Sequence, residues 1–506
     1  MLRTILIPFV TLFAFKVLLA AVFPVFGDEA YYLYWGAHPA GGYYDLPPMV
    51  GWWLAPLIHF SSHPLWLRLW NLLVPVLISF GIYEWLLKAR GSGPSALAAL
   101  LFFALPLPFL TVISFPDVPL LFCGFFSALL FHSGVTRQQR LISAPLVMSG
   151  ALFGAAFLSK YFAVFLLPAF ALWAWPRAKS RAGVFFSFLI GAIPFLFQHL
   201  LWNGRNCRAN LVFNLITRQQ AYEGTPFQTT GFLLLHLLAV SVTVIPFLRR
   251  APEDPGNRGS RDLRAFLFLL WAVPVLIFAG TALLGRGQGL HWLLYLTPFF
   301  VAWASFRLSP IRLRSSFLAS AFLSAALAAV LCIVFVFPER LLPRTIRERY
   351  PFEIGVITEA RSFVGQLAEK VRNSEVLLFE SYGIASLVHH EIARHGGSTP
   401  MPEVVVATSG SRFGRVFDFT AGWRDLQGKT VSVVKTGPAD AGKYSPYFSS
   451  LDPVPGSIGG AGYSVLVGSN FDAKKFWMER VLPELEQFYP AQFSGSCPLK
   501  EEFRAR

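Results

Sequence analysis

Charge is the scarcest ingredient of this sequence. Only 14% of its 506 residues are Asp, Glu, Lys or Arg, where a soluble protein of this size carries roughly a quarter. With 54% hydrophobic residues and a mean hydropathy of +0.52, that deficit excludes an ordinary soluble protein. Repeated apolar runs long enough to cross a bilayer point to a polytopic α-helical membrane protein. Cysteine is sparse too, at four. Cys123 and Cys332 fall in apolar segments, where a thiol is inert; Cys207 and Cys497 fall in expected loops. Acids are rarest in the first two thirds, for residues 1–337 hold nine Asp/Glu against 23 Lys/Arg. The apolar runs stop near Phe337, and residues 338–506, with 19 acids and 20 bases, read as a soluble α/β domain. The net charge of +15 therefore belongs to the membrane part, where loop charge orients helices, and nucleic acid is not an expected partner.

Eleven spans are expected, near 4–23, 65–87, 95–113, 117–133, 143–158, 161–175, 183–200, 228–248, 265–284, 291–306 and 316–337. The pair 143–158 and 161–175 reads as two short helices or one kinked hairpin. The first span lacks a small-residue cleavage site and reads as a retained anchor. With the N-terminus in the cytoplasm, 16 of the 23 basic residues fall in cytoplasmic loops, as the positive-inside rule requires. The other face keeps Arg68, Lys160, Arg205, Arg208, Arg218 and Arg286, and an odd span count places 338–506 there as well. The acids divide in an informative way. Glu84, Glu253, Asp254 and Asp262 sit among cytoplasmic bases, whereas Asp28, Glu29, Asp45, Asp117 and Glu223 share the outer face with those cations. In 338–506, strands are expected at 375–380, 404–407, 430–434 and 463–467, and helices at 382–395 and 474–488.

Three of the outer acids crowd one expected loop, Gly27–Pro48, followed by an interfacial helix over Met49–Phe60. Asp28 and Glu29 are either solvated loop carboxylates or a pair able to take a proton from an attacking hydroxyl or hold a divalent cation. Asp117, between Pro116 and a second proline, reads as a helix N-cap, which leaves a catalytic role open. Lys160 interrupts about 35 uncharged residues; it either snorkels or, being costly inside a bilayer, has a functional partner such as a phosphate. Arg218, Arg286 and the His291-Trp292 pair are single weak signals on the same face. Two patterns are rejected. His390 and His395 lie five apart, where a zinc-binding helical pair needs four, and Gly456–Gly462 lacks the strand–turn–helix setting of a phosphate loop. Cys207 and Cys497, both expected outside, are permitted a disulfide by compartment.

Asp28-Glu29-Ala30-Tyr31-Tyr32, Gly42-Tyr43-Tyr44-Asp45 with Pro47-Pro48, Pro116-Asp117-Val118-Pro119 and Ser159-Lys160-Tyr161 occur in the order found in a known family. So do Trp202-Asn203 through Arg218, His291-Trp292, Tyr382 with Ala385, and Asp418-Phe419 with Trp423 and Gly428-Lys429. The chain resembles the membrane glycosyltransferases of the C-type fold, in the bacterial branch related to protein O-mannosyltransferases and aminoarabinose transferases. The resemblance implies transfer of a sugar from a polyprenyl-phosphate donor to a lipid, glycan or protein acceptor on the non-cytoplasmic face of a bacterial inner membrane. In that reading Asp28, Glu29 and Asp117 are catalytic, Lys160, Arg218 and Arg286 bind the donor phosphate, and Tyr44, Asp45, His291 and Trp292 contact substrate. No cofactor is required, and a divalent metal at Asp28 and Glu29 stays open. Many relatives carry a histidine before the Pro-Pro where this chain has Leu46, so no role of that histidine carries over. A transporter would show repeated halves and midplane polar residues, which the sequence lacks; in a non-catalytic scaffold the acids would only cap helices.

Overall fold

The computed structural model describes residues 2–137, 141–217, 258–284, 290–371, 373–395, 402–406, 422–438 and 440–488, with short stretches and single positions between and beyond them. The chain divides into two compact units. The first comprises Met1–Phe23, Arg68–His199 and Gln219–Ile333; the second comprises Pro24–Leu67, Leu200–Arg218 and Val334–Arg506. The segments read from sequence as outer loops thus pack in the same unit as the C-terminal region.

The first unit is helical. Among the described residues, five helices are long and apolar enough to cross a membrane: Pro64–Arg90, Asp117–Thr136, Arg181–Arg205, Arg258–Leu283 and Pro310–Val336. The count is six if the bent pair Leu6–Val22 and Gly27–Ala37 is one span. Ser92–Ala104, Ala144–Phe157 and Tyr161–Ala174 are apolar but shorter, below the ~20 residues of a straight crossing. The reasons are local. Ser92–Ala104 stops at Leu105, before Pro106, because the residue preceding a proline is pushed out of the helical region. Ala144–Phe157 ends just ahead of Ser159-Lys160. The segment from Leu290 starts as a tight 3₁₀ turn before Thr297–Ser305 becomes α-helical. The expected span 228–248 lies largely outside the described residues.

Without a hydrophobic drive between helices in lipid, small residues and hydroxyls bring them together. A Cβ on Gly150 would fall on the Phe188 carbonyl, and one on Gly191 on the Val147 carbonyl, so the Ala144–Phe157 and Arg181–Arg205 helices approach backbone to backbone. Ser127 and Ser149 donate to each other's carbonyls at 2.9 and 2.8 Å. Two buried cations close helix ends. Lys16 Nζ donates to the carbonyls of Pro108, Phe109 and Thr111 at 2.8–2.9 Å, which uses all three ammonium protons. Arg68 donates to the carbonyls of Ala20 and Phe23, at the end of the first helix, where carbonyls lack intrahelical partners.

The second unit holds a five-stranded sheet: β1 (Val376–Phe379), β2 (Glu403–Val406), β3 (Val431–Thr436), β4 (Ser450–Ile458) and β5 (Ala461–Ser469), in the order β2-β1-β3-β5-β4. β1 runs parallel to β2 and β3, whereas β5 is antiparallel to β3 and β4. The buried run Val-Leu-Leu-Phe of β1 suits a central parallel strand. β4 carries Pro453 and Pro455; these two residues hide it from a propensity reading and confine it to the sheet edge, where a missing N–H is tolerated. The glycine-rich run is the β4–β5 hairpin, in which Gly459 and Gly460 take φ of +54° and +78°, as a two-residue type I′ turn demands. Tyr382–His395 is helical as expected, and its Glu391 lies 3.0 Å from His395 and 3.7 Å from Arg394. Cys207 is bonded to Cys497. The disulfide lies in an apolar cluster with Val376, Trp423, Trp477 and Leu466, and it ties down a turn where Cys207 and Arg208 both hold positive φ.

Candidate active site

In the first unit the candidate residues start at a helix end. Pro116 and Pro119 bracket the start of the Asp117–Thr136 helix, which puts Asp117 on its first residue. Asp117 does not cap the helix, contrary to its reading from sequence. Its Oδ2 accepts from Lys160 Nζ at 2.6 Å, and both side chains are buried, at 8% and 1% exposure for Lys160 and Asp117. Lys160 therefore does not snorkel. It sits where the preceding helix has ended, in extended backbone ahead of the 3₁₀ turn Tyr161–Phe165, and its ammonium lies 5.9 Å from the Phe162 ring. His291 Nε2 approaches the same Oδ2 at 3.7 Å, with its own side chain 45% exposed and its ring edge-on to Phe115. Trp292 packs on Phe162 at 4.5 Å.

Four residues singled out from sequence are thus brought together in one unit: Asp117, Lys160, His291 and Trp292. Asp117 Oδ1 is buried and has no hydrogen-bond partner among the described residues. A desolvated carboxylate oxygen left unpaired is costly, so this corner is poised for a further donor. Arg218 and Arg286 lie outside the described residues.

In the second unit, Gly27–Pro48 is not a loop throughout. Gly27–Ala37 is an α-helix with Asp28 and Glu29 in its first turn, where the helix dipole favours negative charge. Adjacent helical residues point apart: Asp28 is exposed while Glu29 is 2% exposed. The two therefore do not form a shared cradle for a cation, and among the described residues no group of three or more His, Cys, Asp or Glu side chains could hold a metal. Asp28 Oδ1 accepts a 2.8 Å hydrogen bond from Tyr382. Asp45 is buried and accepts from Tyr31 at 3.2 Å, and Asn214 donates to its carbonyl at 2.8 Å. Tyr44 is buried among the core residues, against Phe213.

Residues 38–48 are held from three directions. The Tyr43 hydroxyl donates to the Trp35 and His38 carbonyls, Trp52 donates to Ala40, and Asn210 donates to Tyr43. Tyr31 and the two asparagines carried no signal of this role in sequence, since a tyrosine in an aromatic belt and an asparagine in a loop are both commonplace.

Two crystal structures share this architecture over nearly its whole length. ArnT from Cupriavidus metallidurans bound to undecaprenyl phosphate superposes with a TM-score of 0.57 at 14% identity, covering 92% of this chain and 98% of that one. The apo form of the same protein gives 0.58 at 13% identity, covering 93% and 98%. The family model for dolichyl-phosphate-mannose-protein mannosyltransferases matches residues 45–202, a stretch that includes Asp45, Asp117 and Lys160. The lipid A galacturonosyltransferase RgtD from Rhizobium johnstonii is 32% identical over 183 residues, which cover 35% of this chain and 38% of RgtD. The matched stretch thus spans well under half of that curated relative. Asp28, Glu29, His291 and Trp292 lie outside the family match, so their assignment rests on geometry and order of motifs.

Proposed function

We propose that this protein transfers a sugar from a polyprenyl-phosphate carrier to a lipid, glycan or protein acceptor at the non-cytoplasmic face of a bacterial inner membrane, with inversion at the anomeric carbon. The observation that carries this reading is the buried Lys160–Asp117 pair at the end of a membrane-crossing helix, with one carboxylate oxygen still unpartnered among the described residues. Lys160 supplies positive charge to a departing phosphate and Asp117 Oδ2 fixes its ammonium in place, while the unpaired Oδ1 takes a donor such as a sugar hydroxyl. His291, partly exposed beside them, is the nearest donor for a phosphate or sugar oxygen. Arg218 and Arg286 are assigned to the same phosphate by sequence order.

The acceptor hydroxyl attacks the anomeric carbon, its proton is taken by a base, the role that motif order assigns to Asp28, and the bond from carbon to phosphate oxygen breaks with the electron pair leaving on the phosphate. Tyr382 orients the receiving carboxylate through its hydrogen bond to Oδ1. Glu29 and Asp45, being buried, hold the surroundings of Asp28 and Tyr31 in place. Where the acceptor is itself a phosphate, Asp28 positions and does not deprotonate. The RgtD match supports a lipid acceptor. The likeness to ArnT, a protein crystallised with undecaprenyl phosphate bound, supports a polyprenyl-phosphate carrier. The Cys207–Cys497 disulfide supports placing the second unit outside the cytoplasm, where such bonds persist.

The test uses purified protein in lipid with a polyprenyl-phosphate sugar and a lipid A acceptor, scored by mass spectrometry of the acceptor. Asp28→Asn is expected to lower turnover by about 10²–10⁴-fold, the usual worth of a general base, with unchanged thermal unfolding. Wild-type turnover by that variant would remove Asp28 from the chemistry; absence of transfer with every donor tried would overturn the transferase reading itself.

A further inference from the structure

The Asp117–Thr136 helix has a second charged end. Its 20 residues span about 30 Å, so its C-terminal turn lies across the bilayer from Asp117. There a cavity of about 390 Å³ opens, lined in part by Glu84, Trp85, Lys88, His132, Thr136 and Arg137. These residues come from the ends of two membrane-crossing helices, and the start of the Arg258–Leu283 helix completes the rim. Among the described residues neither Lys88, Arg137 nor Glu84 is in an ion pair or a side-chain hydrogen bond, although Glu84 and Lys88 stand four apart on one helix, a spacing that allows pairing. The wall behind them is rigid. Trp85 Nε1 lies 3.4 Å from His132 Nδ1, which leaves Nε2 of a neutral His132 as a donor. The imidazole in turn packs against Trp173 and Phe266.

We propose that this cavity holds the headgroup of a membrane phospholipid in the leaflet opposite the Asp117 site. A hollow at a membrane boundary with two cations, a tryptophan and a hydroxyl matches a phosphodiester, the acyl chains remaining in the bilayer. The single acid makes the match more specific. Lys88 and Arg137 take the phosphate, and Glu84 takes an ammonium, which is the charge pattern of phosphoethanolamine. The inference rests on the membrane reading of the helices and not on the transfer reaction.

Native mass spectrometry of the full-length protein in detergent tests it, after exchange into palmitoyl-oleoyl phosphatidylethanolamine or phosphatidylglycerol. The wild type is expected to retain one lipid that Lys88→Ala/Arg137→Ala loses, with affinity falling about fivefold for each cation removed. Glu84→Gln is expected to weaken phosphatidylethanolamine and spare phosphatidylglycerol. These side chains are exposed, so thermal unfolding should match the wild type, and a matched curve certifies the comparison. Equal lipid retention by wild type and double variant would overturn the site. Displacement of the lipid by glycerol 3-phosphate alone would replace the lipid with a soluble phosphate ester. A Glu84→Gln effect equal on both lipids would overturn the phosphoethanolamine assignment.

Discussion

Lys160 and Asp117 show how much one residue pair can carry. Two ions withdrawn from water break roughly even against their mutual attraction, but removing one strands the other. Lys160→Met is therefore expected to cost about 3–5 kcal/mol of stability, read as a lowered unfolding temperature in detergent. Adding Asp117→Leu should recover most of that stability and none of the turnover, because neutralising the pair cures the stranded charge without restoring a phosphate site. If the double variant regained activity, the pair would be structural. In sequence, Lys160 and Asp117 are separately conspicuous as charges in apolar surroundings. Their contact is not readable there, since 43 residues separate them and only the packing of helices sets which side chains meet. The reading of Asp117 as a cap fails for the same reason: a nearby cation competes with the helix's own N–H groups for the carboxylate. A smaller effect is expected from Tyr382→Phe, which removes an exposed hydrogen bond to Asp28. Its turnover should fall by less than that of Asp28→Asn, with unfolding changed by no more than about 1 kcal/mol.

At the level of elements, glycine contacts and cation caps set the helix arrangement. Gly191→Val places methyls on the Val147 backbone and is expected to lower stability by about 1–3 kcal/mol, the cost of overpacking, seen as a lower unfolding temperature. Gly280, whose Cβ would meet nothing within 4 Å, is the matched control. Lys16 falls inside the first expected span and Arg68 among the cations of the outer face. Each proves to satisfy carbonyls at a helix end, an arrangement that depends on a chain segment 45 or more residues away. The disulfide joins positions 290 apart. Cys207→Ser/Cys497→Ser is expected to cost the second unit about 2–4 kcal/mol, with reductant lowering the wild-type melting temperature toward the variant's and leaving the variant's unchanged.

The molecule as a whole interleaves its two units in sequence, with Pro24–Leu67 and Leu200–Arg218 packed alongside the C-terminal region. The second unit has a pH signature of its own. Burial, with His38 nearby, lowers His389 from 6.5 to about 4. The unfolded chain then takes up this proton first, so the stability contribution is complete above about pH 6.5 and is lost as pH falls toward 4. Glu380 acts in the same direction. Burial pushes its carboxyl up, but hydrogen bonds from Lys443 and Tyr444 and the charges of Lys443 and Lys435 outweigh this and hold it below the usual value. Acidification from pH 7 to 4 should therefore destabilise the second unit, and His389→Gln should flatten the decline. An unchanged pH dependence in that variant would assign the effect elsewhere.

Composition and patterning were enough to indicate a polytopic membrane protein and most strands and helices of 375–488, because burial against lipid or a sheet core imposes periodic apolarity wherever it occurs. They were not enough to say how long each helix runs, since a proline or a lysine can end one inside an unbroken apolar stretch. Nor could they show that Asp28 and Glu29 face apart, that β4 pairs despite two prolines, or that His291 reaches Asp117. Those features depend on which distant backbones come into contact, and a linear pattern of side chains carries no record of that contact.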